Sequence, residues 1–223
     1  MNKIEEDDRL MVQLQNISQY QESTSFDYKN ATFEKINLNS IDKISEESFP
    51  PCMQCAHAQL KRNGHLKYHG RIQYGLFLKG IGFSLEESLT FWRNCFNKTI
   101  ESEKFDKLYS YYIRYNYGQE GKRVDFHPYN CMKIIMSDPP VAGDSHGCPF
   151  KQFDQKNLES MLRTKGITNI DQNEIIELSK NQHYQIACAR FYEIVHNQPK
   201  QTISISHPNE YFQFSRSLIE NKK

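Results

Sequence analysis

The sequence predicts a mainly α-helical domain with little β-structure, and three features carry that prediction. Residues that start and stop helices recur at plausible spacings, and the apolar residues between them fall three and four apart. Runs of strict apolar–polar alternation, the mark of half-buried strands, are scarce, and no internal repeat is visible.

Composition sets the outer bounds. A chain of 223 residues with 38% hydrophobic and 13% aromatic content can bury a sizeable core, as one large domain or a domain with an appended arm. The formal net charge is +1, so a nucleic-acid site, if there is one, must be local. Six cysteines without a secretory leader point to metal or thiol chemistry inside the cell, in cytosol or nucleus, rather than to disulfides. No stretch reaches 18 uninterrupted apolar residues, so no membrane span is expected.

In order along the chain, residues 1–47 read as a polar arm with a short amphipathic helix around Leu10, Met11, Leu14 and Ile17. The ordered core is expected to begin near Phe49, where Pro50 and Pro51 set an extended lead-in to a helix carrying Cys52. The run IQYGLFLKGIG predicts a buried helix that stops at Gly80 or Gly82. Ser84 with Glu87 forms a capping box for the next helix, whose apolar face is Leu85, Leu89, Phe91, Trp92 and Phe96. KLYSYYIRYNYG fits either a strand or a helix by spacing. After Pro139 and Pro140 come three further helices: Asp154 to Lys165, one capped by Asp171 with Glu174, and His183 to Asn197 carrying Cys188. A last segment opens at HPNEYF.

Two stretches suit polyanions. From Ser48 to Leu85 there is no Asp or Glu, while Lys61, Arg62, Lys67, Arg71 and Lys79 supply positive charge and His57, His65 and His69 supply donors. A solvated basic face is the plain alternative, but surface charge is normally mixed in sign. On one helix Lys67, Arg71 and Tyr74 would share a side, offering two phosphate-binding groups and a ring. The second stretch places Tyr109, Tyr111, Tyr112, Tyr115 and Tyr117 around Arg114, a pattern suited to stacking on unpaired bases or to an aromatic mini-core.

Cys52, Cys131, Cys148 and Cys188 lie far apart in segments that otherwise read as buried structure. A single buried Cys is ordinarily a packed thiol. Cys148 stands apart, because Gly147 lets backbone approach a bulky centre and Pro149 turns the chain away; Cys–Pro recurs in iron–sulfur ligand sets. Structural zinc favours paired close knuckles, and the chain holds one close pair, Cys52 and Cys55. Cys95 reads as a packed thiol.

The motifs FPPC, HLKYHGRIQYGLFLKGIGFSLEESLTFW, FDKLYSYYIRYNYGQEGKRVDF, YNC, GDSHGCPF, HYQIACARFYEIVHN and HPNEYF, in that order over residues 36–220, resemble the C-terminal iron–sulfur domain of the large subunit of eukaryotic and archaeal-type DNA primase. The resemblance implies a helical iron–sulfur domain over residues 48–223, holding one [4Fe–4S] cluster on Cys52, Cys131, Cys148 and Cys188. It implies a non-catalytic regulatory role in DNA replication in the nucleus: binding the 5′-triphosphate end of the RNA primer and the DNA template, and supporting initiation and length counting. Partners would be the small catalytic primase subunit, which carries nucleotidyl transfer, and the DNA polymerase alpha complex. The lack of any Asp-x-Asp pair here agrees with that division.

Carried over by motif position, Lys67 takes a triphosphate contact, His65, Arg71 and Lys79 lie near the primer end, Tyr109 and Tyr111 match the YSY motif, and Arg114 is template-side. Tyr68, Tyr112 and Tyr115 stand where related sequences often have His or Asn. Such large subunits also carry an N-terminal helical domain, which the polar arm does not replace, so the chain reads as an excised piece or a short form. The alternative is a zinc-stabilised nucleic-acid-binding module with no part in priming. No GxGxxG fingerprint supports a flavin or nicotinamide redox enzyme.

Overall fold

The computed structural model describes residue 36 and residues 38–221; the arm's amphipathic run lies outside the described residues. Helices follow one another as α1 (Ile41–Ser48), α2 (Pro51–Asn63), α3 (Tyr68–Gly80), α4 (Leu85–Phe96), α5 (Ser102–Phe105), α6 (Tyr111–Asn116), α7 (Cys131–Ile135), α8 (Pro149–Gln152), α9 (Gln155–Thr164), α10 (Asn169–Lys180), α11 (Tyr184–Val195) and α12 (Pro208–Glu220). Among the described residues the β-structure is one isolated antiparallel bridge, Tyr117 to Asp125. The expected mainly α class holds.

Local chemistry accounts for the helix ends. The Ser84 hydroxyl accepts the Glu87 N–H at 3.2 Å while the Glu87 carboxylate accepts the Ser84 N–H at 2.9 Å, the reciprocal capping box that starts α4. Prolines open α2, α8 and α12 at a position where no N–H is needed. The cap of α10 differs from expectation: Thr168, not Asp171, receives the helix start, its hydroxyl accepting the Asp171 N–H. Asp171 is thereby released to hold Arg190 of α11 at 2.8 Å. The tyrosine-rich stretch is helical, a π-helical turn over Asp106–Ser110 running into α6. Strand geometry loses because Tyr109 packs edge-on against Phe96 at 4.9 Å and Tyr111 stacks along the helix on Tyr115 at 6.3 Å.

Two apolar cores result. The first joins α1 to α4 through Phe49, Met53, Tyr74, Phe77, Phe91, Trp92, Phe96 and Phe105. The second joins α8 to α12 through Phe150, Leu158, Leu162, Ile175, Phe191 and Tyr192. Helix α12 spans both, with Phe212 in the first and Tyr211 in the second. Each such ring or branched chain removed from water contributes about 1.5–3 kcal/mol.

The expected boundary at residue 48 falls inside the folded unit. In α1, Ile41 and Ile44 are buried in the first core, the Asp42 carboxylate accepts from the His57 ring at 2.9 Å, and the Ser215 hydroxyl of α12 donates to the Glu47 carbonyl. The polar composition of α1 hid its narrow buried stripe of Ile41, Ile44, Ser45 and Ser48.

Candidate cysteine centre and nucleic-acid interface

The seam between the two cores is where the four distant cysteines meet. Cys52 packs on the first core, Cys131 and Cys188 on the second, and Cys148 on both. All four line one cleft with about 390 Å³ of atom-free space, its open mouth included. Its other walls are apolar or carry no charge: Pro50, Pro51, Ile134, Ile135, Pro149, Phe150, Ile205 and Pro208, with Tyr184 and Gln185. Cys52 lines this cleft and Cys55, one helical turn on, does not. Cys95 packs in the first core, as expected.

Three of the four thiols stand at helix starts: Cys52 in the first turn of α2, Cys131 at the first position of α7, and Cys148 as the residue preceding α8. The first backbone N–H groups of a helix point back toward its start, and here those of Met53 and Lys151 already meet the Pro50 and Cys148 carbonyls. Those of Phe150 and Lys151 reach the Cys148 sulfur and favour its thiolate. The Lys151 ammonium, held by the Ile135 carbonyl at 2.6 Å, adds positive charge on the same side.

Burial works the other way. It pushes Cys52, Cys131 and Cys188 well above the ordinary thiol range, and nearby sulfurs add to the rise: Cys148 and Cys131 for Cys52, Cys188 and Cys148 for Cys131, Cys52 and Cys148 for Cys188. Cys148 is pushed up to about 11, also by burial. Four neutral thiols, part-buried against apolar walls, become thiolates when a cationic centre replaces their protons. An all-sulfur donor set in apolar walls fits an iron–sulfur cluster. Among the described residues, no three His, Cys, Asp or Glu stand grouped as the ligands of a single metal ion.

The second site lies at the start of α3. Lys67 is the residue before the helix, and its ammonium donates to the Ala142 carbonyl at 2.7 Å. The Arg71 guanidinium folds back to the Leu66 carbonyl at 2.7 Å and lies 4.9 Å above the Tyr109 ring. The Tyr109 hydroxyl meets the His65 ring at 3.2 Å. Burial, with the Arg71 charge beside it, holds His65 below the ordinary imidazole range, so it is a neutral hydrogen-bonding group. Tyr68 and Tyr112, half-exposed, line the same cleft as Arg71 and Tyr109. Tyr111 is 44% exposed, with one face toward Tyr115. Arg114 sits nearby, paired with Glu120 at 2.6 Å.

Two expected contacts are corrected. Tyr74 does not share an open side with Lys67 and Arg71: it is fully buried, its hydroxyl donating to the His57 ring at 2.7 Å. By that turn α3 has passed between Phe49, Phe91 and Trp92, and only its first turn faces outward. Lys79 is also buried, its ammonium bound by Asp125 at 2.5 Å and by the Asn116 and Phe126 carbonyls at 2.8 Å. It pins the 116–126 loop instead of meeting a ligand. Sequence reasoning missed Gln73, a buried carboxamide bonded to Gly147; burial and convergence have no local signature.

Fold and site together define a helical domain built on a four-cysteine seam beside a cationic, tyrosine-lined face. The profile of the eukaryotic and archaeal DNA primase large subunit, C-terminal domain, matches residues 42–212, and the chain belongs to that family. It is 43% identical to the DNA primase large subunit of Homo sapiens over 222 residues, 99% of this chain and 43% of that protein. Against the DNA primase large subunit of Drosophila melanogaster it is 39% identical over 220 residues, 99% of this chain and 40% of that protein. Against that of Schizosaccharomyces pombe it is 40% identical over 219 residues, 96% of this chain and 47% of that protein. The chain thus spans less than half the length of these relatives. No described helix is long and apolar enough to cross a membrane.

Proposed function

We propose that this chain is the primer- and template-holding domain of a DNA primase large subunit, acting in replication in the nucleus. Cys52, Cys131, Cys148 and Cys188 hold one [4Fe–4S] cluster. Bound there, the cluster supplies a cross-link between the two cores and, where its potential allows, a one-electron couple. Lys67 and Arg71 hold the 5′-triphosphate of the RNA primer, with His65 as a neutral hydrogen-bonding neighbour. Tyr109, Tyr111 and Arg114 face the template strand, and this placement supports initiation and length counting. Nucleotidyl transfer belongs to the small subunit, and the polymerase alpha complex is the larger assembly.

The observation that carries this reading is the convergence of four thiols, remote in sequence, on one apolar cleft, with the loop leading into Cys148 bonded to Lys67 at the start of α3. Anaerobic iron and sulfide analysis with a visible spectrum tests the centre: about four irons and four sulfides with brown absorption are expected. Colourless protein holding one zinc would establish the alternative module instead. Lys67→Ala and Arg71→Ala tests the interface. Each should weaken binding to a 5′-triphosphate primer–template about tenfold and to a blunt duplex much less; equal losses on both ligands would remove the triphosphate assignment.

A further inference from the structure

The loop from Ala142 to Gly147 touches both sites. At one end it runs directly into Cys148. Along its length it is fastened to Lys67 and the first two turns of α3 at four places. The Lys67 ammonium donates to the Ala142 carbonyl at 2.7 Å. Gly70 approaches Ser145 so closely that a Cβ there would stand 3.0 Å from the Ser145 carbonyl oxygen. The His69 and His146 rings lie 5.0 Å apart. Gln73, only 3% exposed, closes the series: its Oε1 accepts the Gly147 N–H at 2.8 Å and its Nε2 donates more loosely to the Gly147 carbonyl at 3.4 Å.

Gly147 has a φ of 84°, a left-handed conformation that a side chain would strain. Its peptide groups sit in the interior, where they must be hydrogen-bonded, and one carboxamide serves both. Lys67 and Gln73 both grip this loop, one just before α3 and one within it, so a shift of Gly147 is passed along the loop to the Lys67 ammonium. Nothing else on α3 has this two-ended hold on the residue next to a cleft cysteine.

We propose that Gln73 is a positioning residue that makes the cysteine centre and the cationic start of α3 one thermodynamic unit, so that a polyphosphate bound at Lys67 and Arg71 steadies whatever the four thiols hold. This rests on both readings given above, the cluster and the phosphate site. By linkage each ligand strengthens the other equally, and couplings of this kind are worth about five- to a hundredfold.

The test challenges the iron-loaded protein with a chelator and follows loss of visible absorption, with and without saturating inorganic triphosphate. In the wild type, triphosphate should slow iron release about five- to tenfold. In Gln73→Met, which keeps the volume but not the hydrogen bonds, protection should fall below about twofold while triphosphate still binds. Gln73→Glu, which retains the acceptor for the Gly147 N–H, should restore part of it. Equal protection in wild type and Gln73→Met overturns the proposal. Should Gln73→Met not fold, hydrogen exchange at the Gly147 amide of the wild type decides: triphosphate should slow it, and an unchanged rate overturns the proposal. The underlying readings fail separately, the first if purified wild type carries no iron, the second if loaded wild type binds no triphosphate, and either failure removes the coupling with it.

Discussion

Single residues show how burial assigns chemistry. Cys148 and Cys95 are both cysteines in apolar surroundings, but one lines the shared cleft between two cores and the other fills space inside one. Cys148→Ser should therefore lower iron content and melting temperature together, while Cys95→Ser should leave iron content unchanged, as measured by metal analysis and thermal denaturation. His207 makes a pH prediction. Its Nδ1 accepts the Asn209 N–H at 3.1 Å, its Nε2 donates to the Pro128 carbonyl at 3.4 Å, and burial lowers its pKa to about 4. The folded state thus holds it neutral, so its contribution is complete above the unfolded value near 6.5 and is lost as pH falls toward 4. His207→Gln removes the titration; the stability gap between wild type and variant should narrow by about 2 kcal/mol from pH 7 to pH 5 in urea titrations.

At the scale of elements, helix starts do two tasks. Prolines begin α2 and α8, and backbone N–H groups of the same first turns, Met53 in α2 and Phe150 and Lys151 in α8, favour the thiolates of Cys52 and Cys148. Helix α1 is polar in composition yet belongs to the core, because Ile41 and Ile44 are buried and Asp42 closes a chain through His57 to the Tyr74 hydroxyl. A chain beginning at Phe49 should accordingly be about 3–5 kcal/mol less stable than one beginning at Ile36, judged by urea midpoints. Between α10 and α11, the Arg190 guanidinium is shared by Asp171 and Glu174, with Glu193 at 3.6 Å. With Thr168 as the cap of α10, Asp171 is left for this shared charge and not for the cap that its spacing with Glu174 suggests.

For the molecule as a whole, the cationic face works against a net charge of only +1, so attraction for a nucleic acid is local and screened. The logarithm of primer–template affinity should fall linearly with the logarithm of salt concentration. Lys67→Ala should reduce that slope by about 0.7–0.9, one phosphate's share, in fluorescence anisotropy titrations. A flat salt response in the wild type would contradict the phosphate assignment. The two cores share the seam of sulfurs and helix α12, so removal of the cluster proposed for that cleft should loosen both cores together.

The sequence by itself determined what is local: the capping box at Ser84, the proline-led helices, the acid-free stretch containing Lys67 and Arg71, and Cys148, set apart by its flanking Gly147 and Pro149. Each depends on neighbours a few positions away, and such interactions are written in spacing. Only the tertiary structure decided that Cys52 and not Cys55 faces the cleft, that Tyr74 and Lys79 are interior, that α1 is core, and that Gln73 grips Gly147. Those outcomes depend on which helix passes over which. A buried tyrosine and an exposed one, or a paired lysine and a ligand-facing one, carry the same letter until a second chain segment, remote in sequence, covers one of them.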